Sequence, residues 1–361
     1  MTTEIAILGG GPAGLCAALS AAGQGARVTL VDRGRRLGGQ LVKQTHRFFG
    51  SEHEHAGTRG IDIARILADA VAQTPGVEVR TDTTVLAIYG DGVIALEEAG
   101  RYRKLTAGKV IVATGAAEKM LPFPHNDLPG VYGAGAVQTL MNEHGVVPGR
   151  RVLMVGAGNI GLIVAYQLLQ AGVEVAAVIE AAPQVGGYHV HAAKIRRAGV
   201  PVLPCHTVVR ALGREWVEGA EICRLDAGWN PVPDTNRVLE VDTVCLAVGL
   251  SPLVELLWQA GCPMKFVPEL GGHVPVRDAR METLVPGLYV AGDASGVEEA
   301  SSAMLEGKIA GLCAAAALGY DRDADRIEGE LRTRLAALRA GPVGQKIRRG
   351  LERLGVEEVA A

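Results

Sequence analysis

Two glycine-rich hexapeptides, each set between a short apolar run and an apolar helical stretch, constrain this chain more than anything else in it. The first, Gly9-Gly10-Gly11-Pro12-Ala13-Gly14, follows Ile5-Ala6-Ile7-Leu8. The second, Gly156-Ala157-Gly158-Asn159-Ile160-Gly161, starts 147 residues later and follows Val152-Leu153-Met154-Val155. Both fit G-x-G-x-x-G at a strand-to-helix turn. There the first glycine permits the tight turn, the second lets backbone approach a pyrophosphate, and the third packs helix on strand. The phosphates then sit on the positive end of the helix. One such match is a weak signal. Two of them, each with an acid at the tip of the following strand, predict two bound dinucleotides and electrons passing between them.

The acids define the ribose ends. Arg27 to Asp32 reads as the second strand of the first unit, with Asp32 placed to hold ribose hydroxyls and Arg33 beside it. Glu174 to Glu180 is the equivalent strand of the second unit. Glu180 should accept hydrogen bonds from an adenosine ribose and repel a 2′-phosphate, so NAD(H) is expected over NADP(H). The alternative at either position is an acid that merely starts a turn.

Composition narrows the class. Hydrophobic residues make up 48% and aromatics only 4%, so the core is built from Ala, Val, Leu and Ile, as in parallel sheets flanked by helices. A net charge of -3 gives no nucleic-acid footprint. No apolar run reaches the roughly 18 residues that span a bilayer. The chain enters a strand almost at once, so no signal peptide is expected and the cytoplasm is the expected location. The cysteines, at 16, 205, 223, 245, 262 and 313, include no C-x-x-C or C-x-x-x-x-C. That spacing argues against a redox disulfide of the usual kinds, and against a local zinc or iron–sulfur centre. No metal site is expected, and Cys16 and Cys313 read as packing residues.

The predicted fold class is α/β, with two Rossmann-like, three-layer ββα dinucleotide-binding domains and a short helical C-terminal tail. Lys109 to Gly115 reads as a buried strand ending in an Ala-Thr-Gly turn, and Val244 to Gly249 mirrors it. Gly287 to Asp293 reads as a further strand with an acidic tip, leading into a long apolar helix from about Ala300 to Leu318. One domain is thus inserted in the other. Residues 1–117 are expected to form the first part of one dinucleotide domain, 118–244 the inserted one, 245–320 the second part of the first, and 321–361 the tail.

Gly9–Gly14, Gly38-Gly39-Gln40, Ala113-Thr114-Gly115, Gly156–Gly161, Ala247-Val248-Gly249 and Gly292-Asp293 occur in the order seen in thioredoxin-reductase-like flavoproteins. The resemblance implies FAD in the first domain and NAD(P) in the second. The FAD contacts expected from it are Gly9, Gly11, Pro12, Ala13, Gly14, Asp32, Arg33, Gly39, Gln40, Val85, Ala113, Thr114, Gly115, Gly292, Asp293 and Ala300. The NAD contacts are Gly156, Gly158, Asn159, Ile160, Gly161, Glu180 and Gly249. The chain departs from those reductases in lacking their cysteine pair, so disulfide reduction is not expected. A narrower resemblance is carried by Leu121-Pro122-Phe123-Pro124, Leu128-Pro129-Gly130-Val131, Gly133 to Gln138 and Pro148 to Val152. It is to alpha-type subunits of heteromeric amino-acid dehydrogenases and oxidases, such as sarcosine oxidase, hydroxyproline and proline dehydrogenases and opine oxidases. It implies a second, beta-type flavoprotein as partner, or a homo-oligomer. A stand-alone NADH:acceptor reductase and a non-catalytic nucleotide-binding scaffold subunit remain as alternatives.

Hydride transfer between stacked rings asks little of side chains, so no triad is expected. Gln40 and His46, on the loop after the Gly-Gly turn, are the candidates to tune the flavin or shuttle a proton; a structural role is the alternative for His46. His53 and His55 flank Glu54, a pattern that reads as a solvated turn rather than a metal site. His189 and His191 read as surface or packing residues, with a place near the nicotinamide as the alternative. In the tail, Ile327, Leu331, Leu335 and Leu338 share one helix face, and Ile347, Leu351 and Leu354 share another. These faces should pack on this chain or on a partner, with a membrane-surface role as the alternative.

Overall fold

In the computed structural model, which describes residues 1–356, strand β1 (Thr2–Leu8) delivers the chain to the first glycine turn with Ile5, Ala6, Ile7 and Leu8 fully buried. Helix α1 (Pro12–Gln24) follows, with proline at a first-turn position that its fixed φ suits. Then come β2 (Val28–Val31), α2 (Gly60–Gln73), β3 (Val77–Arg80) and the meander β4 (Thr83–Ile88), β5 (Val93–Glu98) and β6 (Arg101–Val112). The strand expected from Lys109 is the second half of β6. Its first half pairs antiparallel with β5, and its second half pairs parallel with β1.

Strand β7 (Ala116–Glu118) leads into the second unit. That unit contains β8 (Val131–Gly133), α3 (Ala134–His144), β9 (Arg151–Val155), α4 (Asn159–Gln170), β10 (Glu174–Glu180), α5 (His189–Arg197), β11 (Val202–Pro204), β12 (His206–Leu212), β13 (Gly219–Arg224), β14 (Arg237–Leu239) and β15 (Thr243–Leu246). Strand β16 (Leu250–Pro252) returns to the first unit, which adds α6 (Glu255–Gln259), β17 (Met264–Val267), β18 (Gly272–Pro275), β19 (Leu288–Val290), α7 (Ala300–Ala316), α8 (Ala324–Arg339) and α9 (Gly341–Leu354).

Unit 1 is therefore Met1–Ala117 together with the chain from Ser251 onward, and unit 2 is Glu118–Leu250. The expected return at 245 is corrected to Ser251. Strand β15 pairs with β9 and β8, so it belongs to the inserted sheet and cannot start the second part of the first unit. Nor is the tail a segment apart. Leu331 and Leu335 of α8 are buried in the main core of unit 1, and Leu351 and Leu354 of α9 pack on Val267, Leu270 and Val274 of the β17–β18 hairpin region. Those faces are covered by the chain itself.

Each unit is layered the same way, because successive side chains of a strand point to opposite faces. In unit 1, Ile5 and Ile7 face the core under α1, α2 and α7, while Ala6 and Leu8 face Ile88, Ile94, Leu96 and Leu105 of the meander. In unit 2, Val152 and Met154 face α3, α4 and α5, while Leu153 and Val155 face Val208, Ala220 and Ile222 of the β12–β13–β14 sheet. Helix α7 lies backbone to backbone on α1. A Cβ on Gly307 would stand 2.0 Å from the Ala13 carbonyl oxygen, and one on Gly311 would stand 2.2 Å from that of Ala17.

The units also share a strand plan in permuted chain order. Strand β19 joins unit 1 beside β6 as its last parallel strand, and β8 joins unit 2 beside β15 before its fingerprint. Pro286-Gly287-Leu288-Tyr289-Val290-Ala291-Gly292 and Pro129-Gly130-Val131-Tyr132-Gly133-Ala134-Gly135 are the matching sequences.

Candidate dinucleotide sites

The two fingerprints fall where open α/β sheets bind ligands, at the carboxyl ends of parallel strands. Two of the three glycines in each are required by the protein itself. Gly9 and Gly156 have φ of 116° and 106°, and a Cβ on either would stand 2.3 Å from a carbonyl oxygen, Ala113 in unit 1 and Ala247 in unit 2. A Cβ on Gly14 or Gly161 would stand 1.8 or 2.0 Å from the carbonyl oxygen of the first glycine. The middle glycines differ. Gly11 (φ -76°) and Gly158 (φ -72°) have backbone angles open to any residue. A Cβ on Gly11 would meet nothing nearer than Gly39 Cα at 3.9 Å, and one on Gly158 would meet nothing within 4 Å. Protein packing does not explain these two glycines. A ligand lying against the backbone does, and it would meet helices α1 and α4 at N-termini with no side-chain cap and no acid in the first turn.

The strand-tip acids brace these turns in parallel fashion. Asp32 accepts from the Gly10 N–H (2.5 Å) and the Gly34 N–H (2.6 Å). Glu180 accepts from the Ala157 N–H (2.8 Å) and the Ala182 N–H (3.0 Å). Each carboxylate oxygen spends one acceptor site on the turn and keeps another for a hydroxyl. The Gly-Gly segments dock on the fingerprints too. The Gly38 N–H donates to Gly10 O at 2.8 Å, and a Cβ on Gly39 would stand 2.8 Å from Gly11 Cα. In unit 2 the Gly187 N–H donates to Ala157 O at 3.0 Å, and Asn159 Oδ1 accepts from the Tyr188 N–H at 2.8 Å.

Two more strand ends complete the unit 1 edge. Thr114 donates its hydroxyl to Leu253 O (2.7 Å), and the Leu253 N–H donates to Gly115 O (2.9 Å), which fixes the Ala-Thr-Gly turn. Gly292 abuts the first turn of α1, since its Cβ would stand 2.9 Å from Ala13 Cβ. Asp293 beside it accepts from the Glu298 N–H at 3.2 Å. Burial pushes the Asp293 carboxyl up to about 7, and the nearby Glu306 and Glu298 add to the effect. Pro12 and Ala13 open α1, and Ala300 opens α7 half-buried. Val85 is half-buried on β4 against the core of the meander side, and Arg33 is exposed. In unit 2, Ile160 packs on the helix-side core, and Gly249 accepts from the Lys119 N–H at 2.9 Å.

Gln40 is exposed in the short 3-10 turn Gly39–Lys43, next to the docked Gly39. His46 is half-buried and stacks on Phe48, with ring centroids 5.5 Å apart. Its loop is held from behind. Glu54, expected in a solvated turn, is instead buried, where it accepts from Arg334 of α8 and lies 3.8 Å from Lys308 of α7. Sequence periodicity could not show this, because Arg334 is 280 residues away. His191 is buried on α5, and burial lowers its pKa; His189 is exposed.

All six cysteines are free thiols and five are buried. Burial pushes Cys16 up to about 12 and raises Cys245 and Cys313 further, so these thiols are poor nucleophiles. Among the described residues no group of three metal-ligating side chains comes together, and no helix is long and apolar enough to cross a membrane.

Sequence reasoning missed Glu306, Arg277, Arg339 and Glu298, which meet behind the Gly292-Asp293 turn. The available signal was an acid in an otherwise apolar helix: α7 carries only Glu306 and Lys308 as charged residues.

Residues 3–307 match the pyridine nucleotide-disulphide oxidoreductase family. The chain belongs to that family, and it is an oxidoreductase. An opine oxidase subunit from Agrobacterium tumefaciens is 30% identical over 87% of this chain and 66% of its own length. The alpha subunit of sarcosine oxidase from Rhizobium meliloti is 31% identical over 72% of this chain and 25% of its own length. The chain thus spans about two thirds of one of these relatives and a quarter of the other. Among solved structures, T. acidophilum thioredoxin reductase has a TM-score of 0.72 at 24% identity, covering 88% of this chain and 99% of that one. It has the same fold.

Proposed function

We propose that this chain is an FAD-dependent subunit that moves electrons between NAD(H) and a partner flavoprotein that oxidises an amino acid or amine. Unit 1 holds FAD along Gly9–Gly14, Asp32, Gly39, Ala113–Gly115 and Asp293. Unit 2 holds the pyridine nucleotide along Gly156–Gly161 and Glu180, with NAD(H) favoured over NADP(H). The observation that carries this reading is the pair of middle glycines, Gly11 and Gly158, each open where protein packing gives no reason for glycine.

Bound FAD supplies two-electron chemistry to and from a nicotinamide. The residues of this chain bind and orient. Backbone N–H groups at the starts of α1 and α4 receive phosphate, and Asp32 and Glu180 take ribose hydroxyls on oxygens already fixed by backbone donors. Buried thiols of raised pKa support a route that uses no disulfide. The partner is supported by the names of the relatives, which are subunits. The tail does not add to that case, because its apolar faces are buried in unit 1.

The test is the absorbance of the purified chain under anaerobic conditions. A yellow protein bleached by NADH, and by an amine only after a second flavoprotein is added, is expected. A colourless protein, or a flavin that neither NADH nor NADPH bleaches, overturns the reading. Bleaching by the amine without a second flavoprotein overturns the division of labour.

A further inference from the structure

Behind the Gly292-Asp293 turn lies a buried ion network that the cofactor contacts do not explain. Glu306 of α7 and Arg339, the last residue of α8, are each 3% exposed, and Arg277 is 4% exposed. Glu306 accepts on Oε2 from the Gly292 N–H (2.9 Å) and the Ser295 hydroxyl (2.7 Å). It accepts on Oε1 from Arg339 (2.7 Å) and Arg277 (3.1 Å). Arg339 also grips Glu298 with two nitrogens, Nη2 at 2.7 Å and Nε at 3.0 Å. The Glu298 N–H in turn donates to Asp293 Oδ1. Both routes out of Arg339 therefore end on the same turn, one at the Gly292 N–H and one at the Asp293 carboxyl.

Glu306 can stay buried here, with Glu298 half-buried beside it, only because cations pair with them. Burial works to raise the pKa of Glu306, and the guanidiniums of Arg277 and Arg339 more than offset it. Burial pushes Glu298 up, against the pull of Arg339. Unit 2 holds the equivalent backbone more simply: the Gly135 N–H, which corresponds to that of Gly292, donates to Glu118 at 2.6 Å. Glu118 lies at the end of β7 and is only half-buried. In unit 1 alone a residue of the tail takes part in this task.

We propose that Arg339 is a positioning residue for the cofactor of unit 1. The C-terminal tail fixes the Gly292-Asp293 turn against the start of α1 through Glu306 and Glu298, and so sets how Asp293 meets FAD. Arg334, one turn earlier on α8, secures the 51–56 loop through Glu54 and is not part of this link. The inference rests on the assignment of FAD to unit 1.

The experiment compares holoprotein with Arg339→Met, Arg339→Lys and Glu298→Gln. Three readings are taken: FAD affinity, the visible circular dichroism of the bound flavin, and ADP-ribose affinity as the readout of unit 2. Arg339→Met should lose at least about tenfold in FAD affinity and shift the flavin dichroism, with ADP-ribose affinity within about twofold of wild type. Arg339→Lys should recover part of both flavin signals. Wild-type FAD affinity and dichroism in Arg339→Met, whatever its melting temperature, would overturn the proposal, because the network would then be structural only. An equal loss of ADP-ribose binding would also overturn it. Should Arg339→Met not fold, Glu298→Gln removes the charge and one acceptor oxygen from one of the two routes while Arg339 stays paired with Glu306. A shifted flavin dichroism supports the link and an unchanged one overturns it. Wild-type protein that binds no FAD would instead overturn the flavin assignment itself.

Discussion

Unit 1 and unit 2 place the same parts at the same strand ends. Ala113 O lies under Gly9 as Ala247 O lies under Gly156, and Asp32 braces Gly10 as Glu180 braces Ala157. They part company one strand further on. In unit 1 the residue after Gly292 is Asp293, backed by Glu306, Glu298, Arg277 and Arg339. In unit 2 the residue after Gly135 is Ala136, whose N–H donates to Glu118 at 3.3 Å. The shared parts are those that any dinucleotide demands of a strand–turn–helix. The unshared part is the carboxyl of Asp293 with its buried arginines, and it sits in the unit where a flavin is proposed. On the proposed assignment, similar cradles become different sites through Asp293 at one strand end, without a change of fold.

The strongest way to break the comparison is to fill each cradle in turn. Gly11→Val should weaken FAD by on the order of 100-fold, about 3 kcal/mol, and leave nucleotide binding in unit 2 intact. Gly158→Val should do the reverse and purify yellow. FAD retained by Gly11→Val at full stoichiometry, or lost from Gly158→Val, would show that the cradles are wrongly assigned.

The next effect is electrostatic and belongs to unit 1 alone. In the cofactor-free protein, Asp293 has its carboxyl pushed up to about 7, far above an unfolded aspartate. The fold therefore holds a proton that the unfolded chain releases. Stability from this group is full below the unfolded pKa of about 3.9 and is lost as pH rises through about 7. Asp293→Asn should accordingly match wild type near pH 4 and exceed it at pH 8, by about 2–4 kcal/mol. Denaturant melts at both pH values check this. A variant no more stable than wild type at pH 8 would mean that Asp293 is solvated.

Cofactor choice in unit 2 should move less. Glu180→Gln should narrow the preference for NADH over NADPH by on the order of 1–3 kcal/mol, read as relative rates of anaerobic flavin reduction. Wild-type protein reduced faster by NADPH would remove Glu180 from the specificity argument. The smallest effect is expected at the cysteines. Changing Cys205, the half-buried one, to Ser should leave NADH-to-dye electron transfer within about twofold, since no thiol is proposed to carry electrons. Loss of transfer in a folded variant would bring a thiol route back.

How much of this was legible in the sequence follows the range of the forces involved. The positions of the glycine turns, of the strand-tip acids and of the helices α1, α7, α8 and α9 are written in local spacing and periodicity; the ribose roles of Asp32 and Glu180 belong to the proposal. The β5–β6 hairpin was missed because its first half, Arg101-Tyr102-Arg103-Lys104, is polar and exposed and carries no buried alternation. The end of unit 2 was misplaced because Val244-Cys245-Leu246 looks the same whichever sheet it joins. Glu54 looked solvated between two histidines, and Arg339 looked like one more charge on a polar helix. Each is buried by a partner distant in the chain, and no window of sequence contains that partner.

The central claim is that one chain carries two cradles for two different dinucleotides. Native mass spectrometry of the protein saturated with FAD and NAD+, with extraction and identification of what remains bound, tests it most directly. One FAD and one NAD+ per chain is the predicted result, falling to NAD+ alone in Gly11→Val and FAD alone in Gly158→Val. Two FAD, two NAD+, or a single nucleotide shared by both variants would contradict it.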